Sequence, residues 1–223
     1  GGRVLFSMYH WMPETRPVQA ERRSMLSSFY LLLSNSTFSA FLIMLICALS
    51  GIAVFEASSG VLMGGVLGLN SITISILFIL PIPAAFFGAW YAGREGKTFV
   101  QLMWHSVFCC VAAGILMWLP GWLNIINIWT LLVPAALFFF GAGMLFPLAT
   151  TGAMEPFPYL AGAAGALVGG LQNVGSGIAT WFSALLPQHN QFSLGMIMFI
   201  MSVAIMLCWI PLSHRFSHQQ NTV

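Results

Sequence analysis

Charge is what this sequence most lacks. Only 5% of its 223 residues are charged, aspartate is missing altogether, and the seven Lys and Arg and five acids sit in a few islands. Between Arg23 and Arg94 the one formal charge is Glu56; Thr98 to Met154 carries none; Pro156 to Ser213 carries only the neutral His189. Soluble domains hold roughly 25% charged residues, so a water-soluble globule is excluded. A net charge of +2 scattered over separate loops makes no footprint for nucleic acid. The four cysteines, Cys47, Cys109, Cys110 and Cys208, form no CxxC pair and have no histidine at ligand spacing, so they read as small buried hydrophobes. Neither a metal nor another cofactor is expected. No charged region precedes the first apolar run and the chain opens on Gly1, so a cleavable signal peptide is not expected, and the start reads as the middle of something longer.

What is present is apolar length. Hydrophobic residues make up 59% of the chain, and its mean hydropathy is +0.90. About 20 apolar residues cross the roughly 30 Å hydrocarbon layer, so each uncharged block has room for two helices. The expected fold is all-α, a polytopic membrane protein with six complete spans. They are Phe38 to Leu62, Ile72 to Ala92, Phe99 to Leu119, Ile125 to Leu148, Ala161 to Leu185 and Leu194 to Leu212, separated by segments rich in Gly, Pro and Asn. Residues 1–12 read as the tail of a preceding helix ended by Pro13. Arg3 would then lie about 15 Å inside it, a costly depth unless it faces a cavity or a partner. Residues 13–37 read as a cytoplasmic linker. Within it Met25, Leu26, Phe29, Tyr30, Leu32 and Leu33 oppose Ser24, Ser27, Ser28 and Ser34, the pattern of a helix lying in the membrane interface. Residues 38–213 form the bundle and 214–223 a cytoplasmic tail.

Arginine and lysine set the orientation. Arg16, Arg22 and Arg23 precede the first complete span, Arg94 and Lys97 follow the second, and Arg215 follows the sixth, whereas the other loops have neither residue. Both ends of the block are therefore expected on the cytoplasmic side. Trp118 and Trp122, and Trp90 with Tyr91, suit interfacial anchoring or core packing.

Glu56 is the one acid inside a span, where an ionised side chain costs about 2.5 to 3.5 kcal/mol. Such a carboxyl is protonated, paired or facing water: either a group that carries a proton or pairs with a cation, or a structural acid near the outer mouth. Pro81 and Pro83 are expected to interrupt the second span, and Pro134 and Pro147 the fourth. Gly162, Gly165, Gly169, Gly170, Gly175 and Gly177 give the fifth span a surface for close helix contact, and Ala84, Ala85 and Gly88 give the second a similar small face. Phe78, Trp104, Trp129, Phe138, Phe139, Phe140, Met144 and Phe146 supply aromatic and soft apolar surface, for packing or for flat lipophilic cations. Ser176 and His105 are the nearest thing to a nucleophile and base. No catalytic motif surrounds either, and no enzyme is expected.

Two short motifs and three longer strings carry a resemblance. MPETRP at Met12 to Pro17 resembles the signature that ends the sixth helix in drug:proton antiporters of the major facilitator superfamily. GAWYAGREGK, with Gly88, Arg94 and Lys97, resembles the second-half copy of that superfamily's cytoplasmic loop motif. ILFILPIPAAFFGAW at Ile76, WTLLVPAALFFFGAGMLFPLAT at Trp129 and GAMEPFPYLAG at Gly152 closely resemble multidrug exporters of that group in enteric bacteria. The resemblance implies the C-terminal half of a twelve-helix fold, the end of helix six and helices seven to twelve, with a six-helix N-terminal half as its partner and a monomeric intact protein. It also implies export of hydrophobic drugs or detergents across the inner membrane in exchange for protons. Carried over by position, Ile46, Phe78, Ile82 and Trp129 line a central cavity, Glu56 couples proton or cation, and Gly88, Arg94 and Lys97 belong to the loop motif. The alternatives are export of a metabolite such as a sugar, for which few hydrogen-bonding side chains are present, and a membrane subunit without transport.

Overall fold

The computed structural model describes residues 25–94 and 96–220. The expected helix tail with Arg3, and the segment from Pro13 to Arg23, lie outside them. Among the described residues every regular element is helical. A short helix α1 (Met25–Ser34) leads into α2 (Ser36–Val61), which runs on as a wide π turn (Leu62–Val66); α3 (Ser71–Ile79) and α4 (Ile82–Ala92) follow. Then come α5 (Phe99–Trp122), α6 (Ile128–Met154), a 3-10 turn (Pro158–Leu160), α7 (Ala161–Ala184) and α8 (Phe192–Gln220).

Polar side chains set four of the helix starts. The Asn35 side chain accepts from the Phe38 amide at 3.0 Å and that of Asn70 from the Thr73 amide at 2.8 Å. Thr98 with Gln101, and Asn127 with Thr130, form reciprocal caps. Each satisfies amides that a helix N-terminus leaves without a partner. Asn127 is why α6 begins at Ile128, not Ile125.

Among the described residues five helical segments are long and apolar enough to cross a membrane: Ser36–Val66, Ser71–Ala92, Phe99–Trp122, Ile128–Met154 and Phe192–Phe216. The fifth expected span corresponds to α7, whose 24 residues reach about 36 Å but whose glycines and amides leave it less apolar. The exterior is apolar, with Ile72, Phe86, Phe108, Trp129 and Trp181 all exposed. Buried polar groups are mainly serines. That arrangement suits a lipid surround, and the chain is a multi-pass membrane protein.

Helix α2 is the hub, packing on α6, α7 and α8; α5 packs on α6 and α8, and α4 on α6. Small residues let these backbones meet. A Cβ on Gly88 would lie 2.1 Å from the Phe140 carbonyl oxygen, and one on Gly143 2.1 Å from that of Ala85, so α4 and α6 touch backbone to backbone. Ser106 and Ser202 bridge helices by donating to the carbonyls of Gly141 and Cys110, each at 2.8 Å. At one end Phe41, Phe99, Trp209 and Phe216 cluster between α2, α5 and α8. At the other, fully buried Gln191 donates to the Met117 carbonyl at 2.9 Å and accepts from the Thr130 hydroxyl at 2.8 Å, tying α5, α6 and the start of α8.

The prolines behave unequally. Pro81 divides the second span into α3 and α4, as expected, whereas α6 runs unbroken through Pro134 and Pro147. Contact with α2, α4 and α5 holds α6 together across the bonds its prolines remove. Helix α3 has no such support and buries none of its residues. On α1, Ser28 and Leu32 are buried and Phe29 and Leu31 pack on the core, while Met25, Leu26 and Tyr30 point outward with Ser27 and Ser34, so the expected division into an apolar and a serine face is not kept.

Candidate functional site

Glu56 lies one turn and a half before the end of α2, its side chain exposed. Five residues separate it from Val61, about 7.5 Å along the helix. It therefore sits toward the end of the span that leads into the π turn, not at mid-depth. Beside it is an open cavity of about 300 Å³ lined by Glu56, Phe78, Ile79 and Ile82. Phe78 and Ile79 come from the last turn of α3 and Ile82 from the first residue of α4, so the cavity straddles the Pro81 break.

The wall is placed by packing. The Phe78 ring meets buried Phe55 edge to face, with centroids 6.5 Å apart, and lies over Gly60, where a Cβ would be only 3.5 Å from the ring. Phe55 in turn packs edge to face on Phe139 of α6 at 5.9 Å. A carboxylate, an aromatic ring and two branched apolar side chains thus share one cleft. Such a cleft suits a lipophilic cation, which would pair with the carboxylate and meet the ring. Cation–π contacts contribute about 0.5 to 2 kcal/mol, more as water is excluded.

Three expected site residues, Glu56, Phe78 and Ile82, are brought together; Ile79 joins them unannounced, though its spacing of three from Ile82 was visible. Ile46 and Trp129 are not part of this cleft. Ile46 lies ten residues before Glu56, about 15 Å along α2, and packs where Gly175 of α7 leaves room. Trp129, 71% exposed, projects from the first turn of α6. Phe138, Phe139 and Met144 are core residues, Phe138 filling the space over Gly51.

At the far end of α4, the loop-motif residues divide. Gly88 is a packing residue, buried against α6. The Arg94 guanidinium stacks 4.7 Å from the Trp90 ring centroid. Lys97 stacks 4.8 Å from that of Tyr91 and donates to its hydroxyl. Ser176 and His105 do not form a catalytic pair. The Ser176 hydroxyl donates to the Asn173 carbonyl, and His105 Nδ1 bonds the Gln101 carbonyl, each within its own helix.

The sequence is 66% identical over 220 residues to Multidrug resistance protein D of Escherichia coli (strain K12), a match covering 99% of this chain and 56% of that protein. The chain is a homologue of a multidrug resistance protein. Among solved structures it matches the multidrug transporter EmrD from Escherichia coli at 67% identity, covering 94% of this chain and 56% of that one, with a TM-score of 0.23. No family model matches. This homologue thus spans a little over half the length of its curated relative, and the cleft at Glu56 lies within the matched half.

Proposed function

We propose that this chain is the C-terminal half of a major facilitator superfamily transporter that exports lipophilic molecules, cations above all, across the bacterial inner membrane in exchange for protons. The observation that carries the reading is the cleft: one carboxylate set against Phe78, Ile79 and Ile82, in a sequence two-thirds identical to a multidrug resistance protein. A proton and a cationic ligand compete for Glu56, since each neutralises the same carboxylate. Entry of a proton from outside then releases the ligand.

The matched relative is longer, and α7 offers a surface for what this chain does not contain. A Cβ on Gly162, Gly169, Gly170 or Gly177 would meet nothing within 4 Å, whereas one on Gly175 would collide with Ile46. The bare glycine face would receive the N-terminal half. Closure of that half over the bundle would bring Ile46 and Trp129 to the wall of a shared central cavity. Both ends of the six-helix block would lie on the cytoplasmic side, with Arg94, Lys97 and Arg215 at that surface.

The test uses the full-length gene product in everted membrane vesicles, following a pH-gradient dye as a lipophilic cation is added. Proton efflux on addition, abolished by Glu56→Gln at equal expression, supports coupling through Glu56. Unchanged efflux in the variant would make the acid structural and move coupling to the other half. No response to any lipophilic compound would defeat the transport reading itself.

A further inference from the structure

The face of α4 turned away from α6 takes no part in the cleft at Glu56. Pro83, Phe86, Phe87 and Trp90 recur there at spacings of three and four, the period of one helix face, and border a groove of about 440 Å³. All three rings are more than half exposed. The opposite face, with Ala85 and Gly88, is pressed against α6, so small residues point inward and aromatic ones outward. One turn beyond Trp90, Arg94 lies across the indole ring. Among the described residues no carboxylate pairs with it, whereas Lys97 is already engaged by Tyr91.

We propose that this groove and Arg94 seat one anionic phospholipid, an acyl chain along Phe86, Phe87 and Trp90 and the phosphate on the guanidinium. Length, polarity and charge all fit. From Pro83 to the end of α4 at Ala92 is about 14 Å of helix, and Arg94 stands two residues further on, so the seat is close to half the roughly 30 Å hydrocarbon layer and so to the depth of a single leaflet. The lining carries no charge, and Arg94 stands at the end where a headgroup would be, with Lys97 held on Tyr91 beside it. Stacking on Trp90 holds the guanidinium plane and leaves its N–H edge free, the geometry that grips phosphate oxygens in pairs. A zwitterionic lipid brings its own ammonium to that phosphate and gains less from Arg94. The seat requires only that α4 lies across one leaflet with Arg94 at its surface, and it stands or falls apart from transport.

The test is native mass spectrometry of the full-length gene product, delipidated in detergent and offered equal amounts of phosphatidylglycerol and phosphatidylcholine. The wild type should retain the glycerol lipid about fivefold better, the selectivity expected of one basic residue at a headgroup. Arg94→Gln should remove that preference without lowering choline-lipid retention, and Arg94→Lys should restore most of it. Phe86→Ala with Phe87→Ala should lower retention of both lipids. A wild type without preference, or an Arg94→Gln variant that keeps it, overturns the proposal and assigns the groove to protein contact, with the missing half or a second copy.

Discussion

Replacing Gly88 by alanine will drive α4 off α6. The added methyl would sit 2.1 Å from the Phe140 carbonyl oxygen and 3.1 Å from the Met144 amide nitrogen, both backbone atoms that no rotamer change can move. A carbon and a carbonyl oxygen rest at roughly 3.3 Å or more, so the backbones must part by roughly 1.2 Å, measured from that 2.1 Å. Shifts of this kind cost about 1 to 3 kcal/mol, and the better helix propensity of alanine returns at most about 1 kcal/mol. With the full return taken off, a net loss centred on about 1 kcal/mol lowers the apparent Tm by about 3 °C for a chain of this size. Far-UV circular dichroism melts in a mild detergent read it directly. Gly169→Ala is the matched control: its methyl meets nothing within 4 Å, so only the propensity gain remains and the melt should hold or rise slightly. A Gly88→Ala chain as stable as the wild type, or a Gly169→Ala chain equally weakened, would refute the backbone-contact reasoning.

Two further perturbations test the joints of the bundle. Gln191→Leu removes a fully buried side chain that bonds the Met117 carbonyl and the Thr130 hydroxyl, the latter keeping its bond to the Asn127 carbonyl; the expected cost is about 1 to 3 kcal/mol, with hydrogen exchange rising first where α5, α6 and α8 meet, and unchanged protection there would disprove the tie. Ser58 and Ser183 bond across α2 and α7 at 2.9 Å, so a double-mutant cycle to alanine should return a coupling of about 0.6 kcal/mol, whereas additive single effects would show that the bond does nothing for stability.

Charge islands and apolar length made the spans legible, because lipid punishes ionised groups in any sequence. Their ends were less so. Phe38 looked like a start, yet Asn35 caps the helix three residues earlier and α2 begins at Ser36. Leu148 was the expected end of the fourth span, yet packing on three neighbours carries α6 on to Met154. The resemblance put Ile46, Phe78, Ile82 and Trp129 around a cavity and gave Glu56 the coupling, whereas the cleft holds Glu56, Phe78 and Ile82 and leaves Ile46 and Trp129 out. Ile79 escaped because nothing marks one more isoleucine in an apolar run, and its spacing of three from Ile82 counts only once the wall is known. Gln191 escaped for a different reason. It stood in a polar, turn-forming segment, and bonds reaching 61 and 74 residues away leave no local trace.

Glu56 rides on α2, the helix that grips three others, while Phe78 and Ile79 ride on α3, which has no fully buried residue, only half-buried contacts at Ile74, Leu77 and Phe78, and is joined at Pro81 below and at Gly64, Gly65 and Gly68 above. The two sides of the cleft therefore differ in stiffness: the acid is bolted to the frame, and the ring facing it hangs on a loose plank. If the cleft takes the ligand proposed above, a bulky guest would make its room by displacing α3, and the carboxylate would stay where it is whatever the size of the molecule beside it.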